Sequence, residues 1–322
     1  MPSLLPKPQK VNEIVSDIND ILQKNKIYHK GNLLSVDAND FFEFPKDYVC
    51  EEKTFKEFFT GLSAAKMDSI YAYKNFPYVL DMLKNDELHF TSLEKNEQND
   101  SSEYIETMLR CMYVQPFIAS DYVGKDASVV PANPSQTINR CYFKNANGKD
   151  LQIEQNRKAT YIYCFTSSYN LNKHWIEYAK DETGVCIEYS FKMPHPNKYT
   201  WLSYGRIHYD SGYDFDFIKE INLLMRRKYN KAFTPKGINK LCVMTKRDRY
   251  HWEDELRIAL MNENVERPNF KEDPNAPGVL KISNGSIFSW KIKRVIAGNK
   301  IDPKNLNQLR AICSARNIPL IE

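Results

Sequence analysis

The chain has 322 residues and a formal net charge of +4, enough for one large domain or one domain with an appendage, and too weakly basic for a dedicated DNA-binding protein. Hydrophobic residues make up 42% and charged residues 27%, as in ordinary globular proteins, which excludes a largely disordered chain. Its 7 cysteines form no CxxC pair and its 6 histidines no HExxH motif, so a disulfide framework and a zinc site are disfavoured and a reducing compartment, the cytoplasm, is expected.

The first 64 residues are predicted to form an N-terminal helical appendage. Residues 1–10 are rich in Pro and Lys and lack the apolar core of a signal peptide, and apolar side chains recur at helical spacing over 11–22. The chain contains no run of about 18 apolar residues, so neither secretion nor a membrane partner is expected.

The main domain is predicted over 65–322. Its first half alternates short strands and helices, predicted as strand 69–74, helix 78–83, strand 87–91 and helix 104–113. Residues 115–158 are polar and contain Pro131 and Pro134, which is typical of a long excursion such as a lid or a substrate loop.

The second half is predicted to be richer in strands. The predicted elements are strands at 160–166, 184–189, 206–209, 255–261 and 288–297, and helices at 175–179, 215–229, 237–245 and 303–316. This order lacks the regular βαβ alternation of a doubly wound sheet. With only 11 glycines, no GxGxxG and no GxxxxGK[ST], the chain disfavours P-loop, kinase-like and Rossmann chemistry.

Two glutamates at the start of the 255–261 strand form the most suggestive local pattern. By strand alternation, Glu253 and Glu255 face the same way. Two carboxylates on one face of a strand cost free energy unless they have cationic partners, are hydrated or are functional. Arg257 follows on the same face and could pair with Glu255. The structural alternative is an ordinary Glu–Arg ladder on an exposed strand.

Three weaker patterns could orient a ligand, but packing and turn formation explain them equally well. They are the hydroxyls Thr166, Ser167 and Ser168 at a strand end, the rings Trp175 and Tyr178 on one helical face, and the rings Tyr71 and Tyr73 on one side of the first strand.

Five short motifs follow one another in order between about residues 70 and 300. They are Tyr71-Ala72-Tyr73-Lys74; Leu88–Ser92 with Asn99-Asp100; Cys164-Phe165-Thr166; Trp175, Tyr178, Gly184, Val185 and Ile187; and Lys246 with Trp252–Glu255 and Arg257. This series resembles the bacterial domain-of-unknown-function family 2971 (DUF2971). The chain departs from the family pattern at Ser101-Ser102, where Pro and Phe are usual, and slightly in the last motif.

The motif order also resembles an ADP-ribosyltransferase core. The resemblance implies an α+β fold, an ADP-ribosyltransferase-like antiparallel split sheet with peripheral helices, and an enzyme that uses NAD as substrate without a metal. It implies NAD-binding roles for Tyr71, Tyr73, Thr166, Ser167, Trp175 and Tyr178, and a catalytic role for Glu255, the favoured carboxylate, or Glu253.

The chemistry of NAD cleavage suits these residue types. Breaking the nicotinamide–ribose bond develops positive charge on the ribose, and a fixed carboxylate stabilises that charge only as it forms. Tyrosine stacking on nicotinamide requires neither a glycine loop nor a metal.

Basic runs at 226–228 and 246–249 precede the glutamate motif and favour a polyanionic acceptor. Arg247 and Arg249 are therefore candidates to bind RNA or single-stranded DNA, with protein or water as alternative acceptors. With the ADP-ribosyltransferase resemblance we expect a bacterial toxin or defence-type effector, with a neutralising protein partner. The competing interpretations are a nucleic-acid-binding or nuclease module and a non-catalytic nucleotide sensor.

Overall fold

The computed structural model of the protein describes isolated positions between 13 and 24, and then 28–29, 32–33, 48–50, 67–95, 143–144, 150–151, 159–194, 199, 201–210, 216–229, 233–235, 242–262 and 270–322. The predicted helix over 104–113 and the loop at Asn99-Asp100 lie outside these residues, and so does most of the predicted lid over 115–158.

The chain divides into two compact units that are both discontinuous in sequence. The first comprises Met1–Leu62, Glu97–Asn156 and His208–Asp248, and the second comprises Ser63–Asn96, Arg157–Ile207 and Arg249–Glu322.

The described part of the first unit contains short strand pairs and helical residues. Tyr28–His29 pairs with Asn32–Leu33 and Phe143–Lys144 with Asp150–Leu151, both antiparallel, whereas Tyr48–Cys50 pairs with Phe233–Pro235 and His208–Asp210 with Thr245–Arg247, both parallel. A helix spans Asp216–Tyr229, as its apolar spacing predicts, and described positions between 13 and 24 are helical.

The second unit contains a nine-stranded sheet. Its strands are β1 (Asp68–Lys74), β2 (Glu87–Ser92), β3 (Thr160–Thr166), β4 (Val185–Lys192), β5 (Leu202–Arg206), β6 (Glu255–Met261), β7 (Val279–Ser283), β8 (Ser289–Ala297) and β9 (Leu320–Ile321). The main order is β5-β6-β3-β1-β4-β8-β9, and all its pairings are antiparallel except β8 with β9. The α+β class predicted from the sequence is confirmed.

The sheet branches at β3. The carboxyl end of β3 pairs with β1 through Tyr71 opposite Thr166, whereas its amino end pairs with β2, which in turn pairs with β7. One strand therefore joins two ladders.

Three helices of this unit are α1 (Phe76–Asn85), α2 (Asn172–Glu177) and α3 (Pro303–Ala315). Asp302 caps α3 by accepting hydrogen bonds from the backbone N–H groups of Lys304 and Asn305, and Pro303 fits the first turn. Asp86, in the left-handed conformation at φ 55°, ends α1. None of the helices in the described residues is long and apolar enough to cross a membrane.

The two faces of the sheet differ in chemistry. On one face, Ile70, Tyr163 and Leu256 belong to a large apolar core that also contains residues of α1 and α3. The opposite face carries polar side chains and a smaller apolar cluster that includes Tyr73 and Trp175. The candidate site lies on this second face.

Three predicted elements differ from the structure. Residues 206–209 are the junction of β5 with a second strand, His208–Asp210, because pairing breaks at Ile207. In the predicted helix 237–245, only 242–243 are helical among the described residues, and Thr245 begins a strand. The helix predicted at 175–179 instead spans Asn172–Glu177.

Candidate functional site

A row of five polar residues crosses five neighbouring strands on one face of the sheet. The strand registers place them in the order Glu255, Thr166, Tyr71, Glu188 and Arg294. Directly opposed residues share a face, and strands lie about 4.8 Å apart, so this polar row spans about 19 Å. Three predicted site residues that are distant in sequence, Tyr71, Thr166 and Glu255, are therefore cross-strand neighbours.

Glu255 and Arg257 form a buried ion pair within β6. The Nε of Arg257 donates a hydrogen bond of 2.7 Å to Glu255, and each side chain is only 4% exposed. The pairing agrees with the ladder predicted as the structural alternative, but that ladder was expected on an exposed strand. Every residue of β6 is buried because β5 and β3 flank it and both faces are covered.

Glu253 does not continue the alternation of β6, contrary to the prediction that it faces the same way as Glu255. A 3₁₀ helix, Asp248–Glu253, ends at this residue, and Asp254 follows in the left-handed conformation at φ 44°. A residue in that conformation breaks the two-residue period of a strand. The buried carboxylate of Glu253 instead accepts a 2.8 Å hydrogen bond from the hydroxyl of Tyr178.

Asp254 joins the end of β3 to the end of β5. It accepts hydrogen bonds from the hydroxyls of Ser167 and Ser168, the latter at 3.0 Å, and forms an ion pair with Arg206. Ser167, predicted to bind NAD, therefore has its hydroxyl committed to Asp254. A non-glycine residue at positive φ is uncommon, and these contacts hold Asp254 in place.

Thr166 has a local partner as well as its place in the polar row. Its Oγ1 accepts a 3.2 Å hydrogen bond from the backbone N–H of Ser168, as in the Ser/Thr turn that the sequence left as an alternative. The side chain is buried, and the sheet register places Thr166 opposite Glu255.

The two predicted tyrosines of β1 differ in accessibility. Tyr73 is buried, its hydroxyl accepts a 3.0 Å hydrogen bond from the backbone N–H of Asn170, and its ring meets Trp175 edge-on at 5.0 Å. Burial raises the pKa of Tyr73. Trp175 is buried in the same apolar cluster, so packing accounts for both rings.

Tyr71 is half-buried and lies at the accessible part of the polar row. Its ring centroid is 5.5 Å from that of Tyr169, which is 44% exposed, and the guanidinium of Arg294 lies 5.2 Å above the Tyr169 ring. Arg294 also pairs with Glu188 at 2.6 Å. An arginine and two accessible tyrosines are suited to holding a planar or anionic group.

A second group of side chains, the ring cluster, consists of His174, Tyr178 and Trp252. His174 lies 5.4 Å from Trp252 and 5.6 Å from Tyr178, and the Trp252 and Tyr178 rings are nearly parallel with centroids 6.3 Å apart. The ammonium of Lys173 lies 3.7 Å above the Trp252 ring. Trp252 belongs to the quoted glutamate motif, whereas nothing in the local sequence distinguishes His174.

His174 is buried, only 3% exposed, and its proton can be assigned from its partner. Its Nε2 lies 3.1 Å from the carbonyl oxygen of Glu253, which can only accept, so Nε2 carries the proton. Burial lowers the pKa of His174, which keeps the ring neutral. Nδ1 is then an acceptor, and it has no hydrogen-bond partner among the described residues. A buried acceptor left unpaired costs about 1–3 kcal/mol.

The remaining predicted residues, Arg247 and Arg249, belong neither to the polar row nor to the ring cluster. Arg247 ends a strand of the first unit, whereas Arg249 belongs to the second unit, is exposed and donates a 2.8 Å hydrogen bond to the hydroxyl of Tyr250. Within the described ranges, no three His, Cys, Asp or Glu side chains are grouped so that they could hold a metal ion.

Comparison of the chain with protein-family models, with curated proteins and with solved structures gives no match. Both the DUF2971 resemblance and the residue roles remain predictions.

The site combines four features that ligand chemistry can use. The polar row contains a buried carboxylate paired with Arg257, an accessible Tyr71, and Arg294 at its far end. The ring cluster adds aromatic faces beside Glu253. Both groups involve β6 or the 3₁₀ helix that leads into it, because Asp254 alone separates Glu253 from Glu255.

Proposed function

We propose that this protein is an NAD-dependent ADP-ribosyltransferase, with an ADP-ribosyltransferase-like split sheet and Glu255 as the catalytic carboxylate. The observation that supports it most is the alignment of Tyr71, Thr166 and Glu255 on adjacent strands of one face. The resemblance assigned these residues to one site from motif order alone.

In this proposal Glu255 stabilises the positive charge that develops on the ribose. The guanidinium of Arg257 lies at hydrogen-bond distance from Glu255 and holds this carboxyl group in place on the buried strand. The field of a fixed carboxylate in a water-poor site acts most strongly on a nearby cation, and here that cation is the oxocarbenium-like ribose of the transition state.

The other residues of the site bind and orient NAD. Tyr71 and Tyr169 offer accessible aromatic faces, and Arg294 offers a guanidinium to the anionic diphosphate. Tyr178 fixes the carboxylate of Glu253 through its hydroxyl. Thr166 and Ser167 form hydrogen bonds that fix the turn at the end of β3. Trp175 of α2 packs against Tyr73 of β1 and so holds α2 on the sheet.

The acceptor that we propose is RNA or single-stranded DNA, with Arg247 and Arg249 contributing to its binding. The support is the basic composition of 246–249 directly before the 252–257 motif. We further propose a cytoplasmic toxin or defence-type effector that a partner protein neutralises.

Purified protein incubated with NAD, with free nicotinamide followed over time, tests the activity. We expect release that Glu255→Gln lowers by at least about 100-fold, equivalent to about 2.7 kcal/mol of barrier. Glu272→Gln is a suitable control, because Glu272 is a carboxylate that accepts hydrogen bonds from Tyr161 at 2.6 Å and Gly278 at 3.0 Å, outside the proposed machinery.

The same experiment separates the alternatives. A nuclease would cleave nucleic acid in a metal-dependent reaction without consuming NAD, and a nucleotide sensor would bind NAD without releasing nicotinamide. Transfer of radiolabel from NAD to extract, followed by nuclease or protease treatment, identifies the acceptor. Label that resists nuclease and is removed by protease would contradict a nucleic-acid acceptor.

A further inference from the structure

Asp254 joins the 3₁₀ helix Asp248–Glu253 to β6 in a conformation that few residues other than glycine adopt. Its φ of 44° lies in the left-handed region, which is disfavoured for a residue with a side chain because Cβ approaches the following carbonyl oxygen. Asp254 alone separates Glu253 from Glu255, so this one backbone reversal ends the helix and begins the strand. The conformation therefore determines where two carboxylates point.

The carboxylate of Asp254 is held from two directions. Its Oδ2 accepts hydrogen bonds from the hydroxyls of Ser167 and Ser168, which follow β3, the second at 3.0 Å. Its Oδ1 pairs with Arg206 at the end of β5, and this guanidinium also lies 3.4 Å from the Ser167 hydroxyl. The backbone carbonyl of Asp254 accepts a 3.3 Å hydrogen bond from the N–H of Ser167. The ends of the two strands that flank β6 thus converge on one residue.

The two neighbours of Asp254 in the chain have different partners. The carboxylate of Glu253 accepts a 2.8 Å hydrogen bond from Tyr178, whereas that of Glu255 pairs with Arg257 at 2.7 Å. Strand alternation without a break would place both carboxylates on one face. Two buried carboxylates side by side are costly, so the reversal at Asp254 separates like charges as well as fixing their directions.

The turn by itself does not require an aspartate, because glycine adopts positive φ without strain. The ion pair is also a weak source of stability, since the side chains of Arg206 and Asp254 are 51% and 32% exposed and exposed pairs contribute little. The side chain instead fixes a position. Glu255 is the first residue of β6, and the ends of strands open most easily.

We propose that Asp254 is a positioning residue for Glu255 and Glu253. By tying the start of β6 to the ends of β3 and β5, it holds Glu255 at its place in the polar row and keeps Glu253 within reach of Tyr178. This inference rests on the proposed function, in which Glu255 stabilises the charge that develops on the ribose. Asp254 acts through its neighbours and does not contact substrate.

Three variants separate positioning from general stability. Asp254→Gly removes the side chain without adding backbone strain. Asp254→Asn is the conservative variant, because asparagine also tolerates the left-handed conformation and its amide oxygen still accepts hydrogen bonds from hydroxyls. Asp86→Gly is the matched control. Asp86 is likewise an aspartate at positive φ, 55°, and it pairs with Arg316 at 2.8 Å and accepts a 3.0 Å hydrogen bond from Asn284, but it ends α1.

The first measurement is nicotinamide release from NAD, with kcat and KM determined separately. We expect kcat to be about 10- to 100-fold lower in Asp254→Gly, because a small displacement of a catalytic group costs that much. KM for NAD should stay within about 3-fold, since Glu255 acts on charge that exists only in the transition state. Asp254→Asn should keep kcat within about 5-fold and Asp86→Gly should leave it unchanged. An unchanged kcat in folded Asp254→Gly, or a rise in KM alone, overturns the inference.

The second measurement does not require turnover. In urea titrations, Tyr178→Phe is expected to shift the unfolding midpoint of the wild type, because it removes the hydrogen bond to Glu253. In the Asp254→Gly background, where Glu253 is no longer directed to Tyr178, the same substitution should shift the midpoint by less than about half as much. In the Asp86→Gly background the full shift should remain. Equal shifts in the wild type and in Asp254→Gly overturn the inference.

Together the two measurements distinguish this inference from the function on which it rests. If the wild type releases no nicotinamide while Asp254 and Tyr178 are coupled in stability, the ADP-ribosyltransferase proposal fails and the positioning of the glutamates stands. If the wild type releases nicotinamide and Asp254→Gly keeps its kcat, the positioning role fails and the activity stands. If neither release nor coupling is found, both fail.

Discussion

Arg257 holds Glu255 through a 2.7 Å hydrogen bond between two side chains that lie two residues apart on one buried strand. Glu255 belongs to the polar row. Arg257 lies two residues further along β6 on the same face, opposite Cys164 of β3. A buried pair of this kind is a weak source of net stability, but either partner alone is costly to bury. The pair thus has a structural role whatever its role in catalysis.

Removal of the guanidinium therefore tests the burial of Glu255 directly. We expect Arg257→Ala to lower the free energy of unfolding by about 3–5 kcal/mol, because the carboxylate of Glu255 is left buried without its cation. In urea titrations, adding Glu255→Gln to this variant should recover part of the loss. A loss below about 1 kcal/mol would mean that Glu255 is solvated and that the pair is a surface ladder.

The second prediction concerns the contribution of the hydrogen bond between Tyr178 and Glu253 to stability. Tyr178→Phe keeps the ring but removes the 2.8 Å hydrogen bond to a buried carboxylate, so we expect a loss of about 1.5–3 kcal/mol of unfolding free energy. Tyr78→Phe is the control, since Tyr78 is 64% exposed and should change nothing measurable. Equal effects of the two substitutions on chemical denaturation would count against the bond.

Much of the second unit was predictable from local pattern. β3 and β6 have the predicted bounds, because five of the seven residues in each are apolar or aromatic, and α3 begins where Asp302 and Pro303 indicate. The strands β7 and β9 were not predicted, and the strand predicted over 206–209 shares only its first residue with β5. β9 has two residues and β7 alternates with exposed polar side chains, so neither has a strong apolar signal.

The candidate site was predictable only where motif order carried information. Tyr71, Thr166 and Glu255 meet because strand register, which local sequence does not specify, places them opposite one another. Glu253 was misplaced because the positive φ of Asp254 has no sequence signal, unlike a glycine. His174 was missed because Glu253 and Trp252, which contact it, are distant in sequence, although Tyr178 lies four residues further on and shares its helical face.

Two glycines test the packing of β1, β4 and β8. A Cβ at Gly184 would lie 2.3 Å from the carbonyl oxygen of Lys74, and one at Gly298 would lie 2.1 Å from that of Glu182. Because both obstacles are backbone atoms, Gly184→Ala and Gly298→Ala should each destabilise the protein by more than about 2 kcal/mol. Lys192→Ala, at an exposed position of β4, should be neutral in the same thermal melts. Wild-type stability in either glycine variant would show that the strands lie further apart.

The last prediction concerns how the free energy of unfolding depends on pH, because His174 is neutral in the folded protein. Burial lowers its pKa from the ordinary 6.5, and that of His89 likewise. As pH falls below about 6.5, the unfolded chain takes up protons that the folded chain refuses, so stability is lost on acidification and is constant above about pH 7. The slope is at most about 1.4 kcal/mol per pH unit for each histidine.

Charged groups near His174 both raise and lower its pKa, but together they do not outweigh the lowering by burial. Asp254 and Glu255 favour its protonation and Lys173 opposes it, while removal from water has the largest effect. Carboxyl groups with lowered pKa, such as Asp273 and Glu322, have ordinary values of 3.8 and 4.5 and titrate below pH 5. These two carboxyl groups therefore do not contribute between pH 5 and pH 7, where the shifts of His89 and His174 act.

Urea unfolding between pH 5 and pH 8, followed by tryptophan fluorescence, measures the effect in the right unit, because all 4 tryptophans of the chain belong to the second unit. We expect His174→Gln to lose part of the wild-type pH dependence and His89→Gln another part. The double variant should be nearly flat over this interval. If His174→Gln keeps the full wild-type slope, then the pKa of His174 is the same in the folded and the unfolded chain, and burial does not lower it.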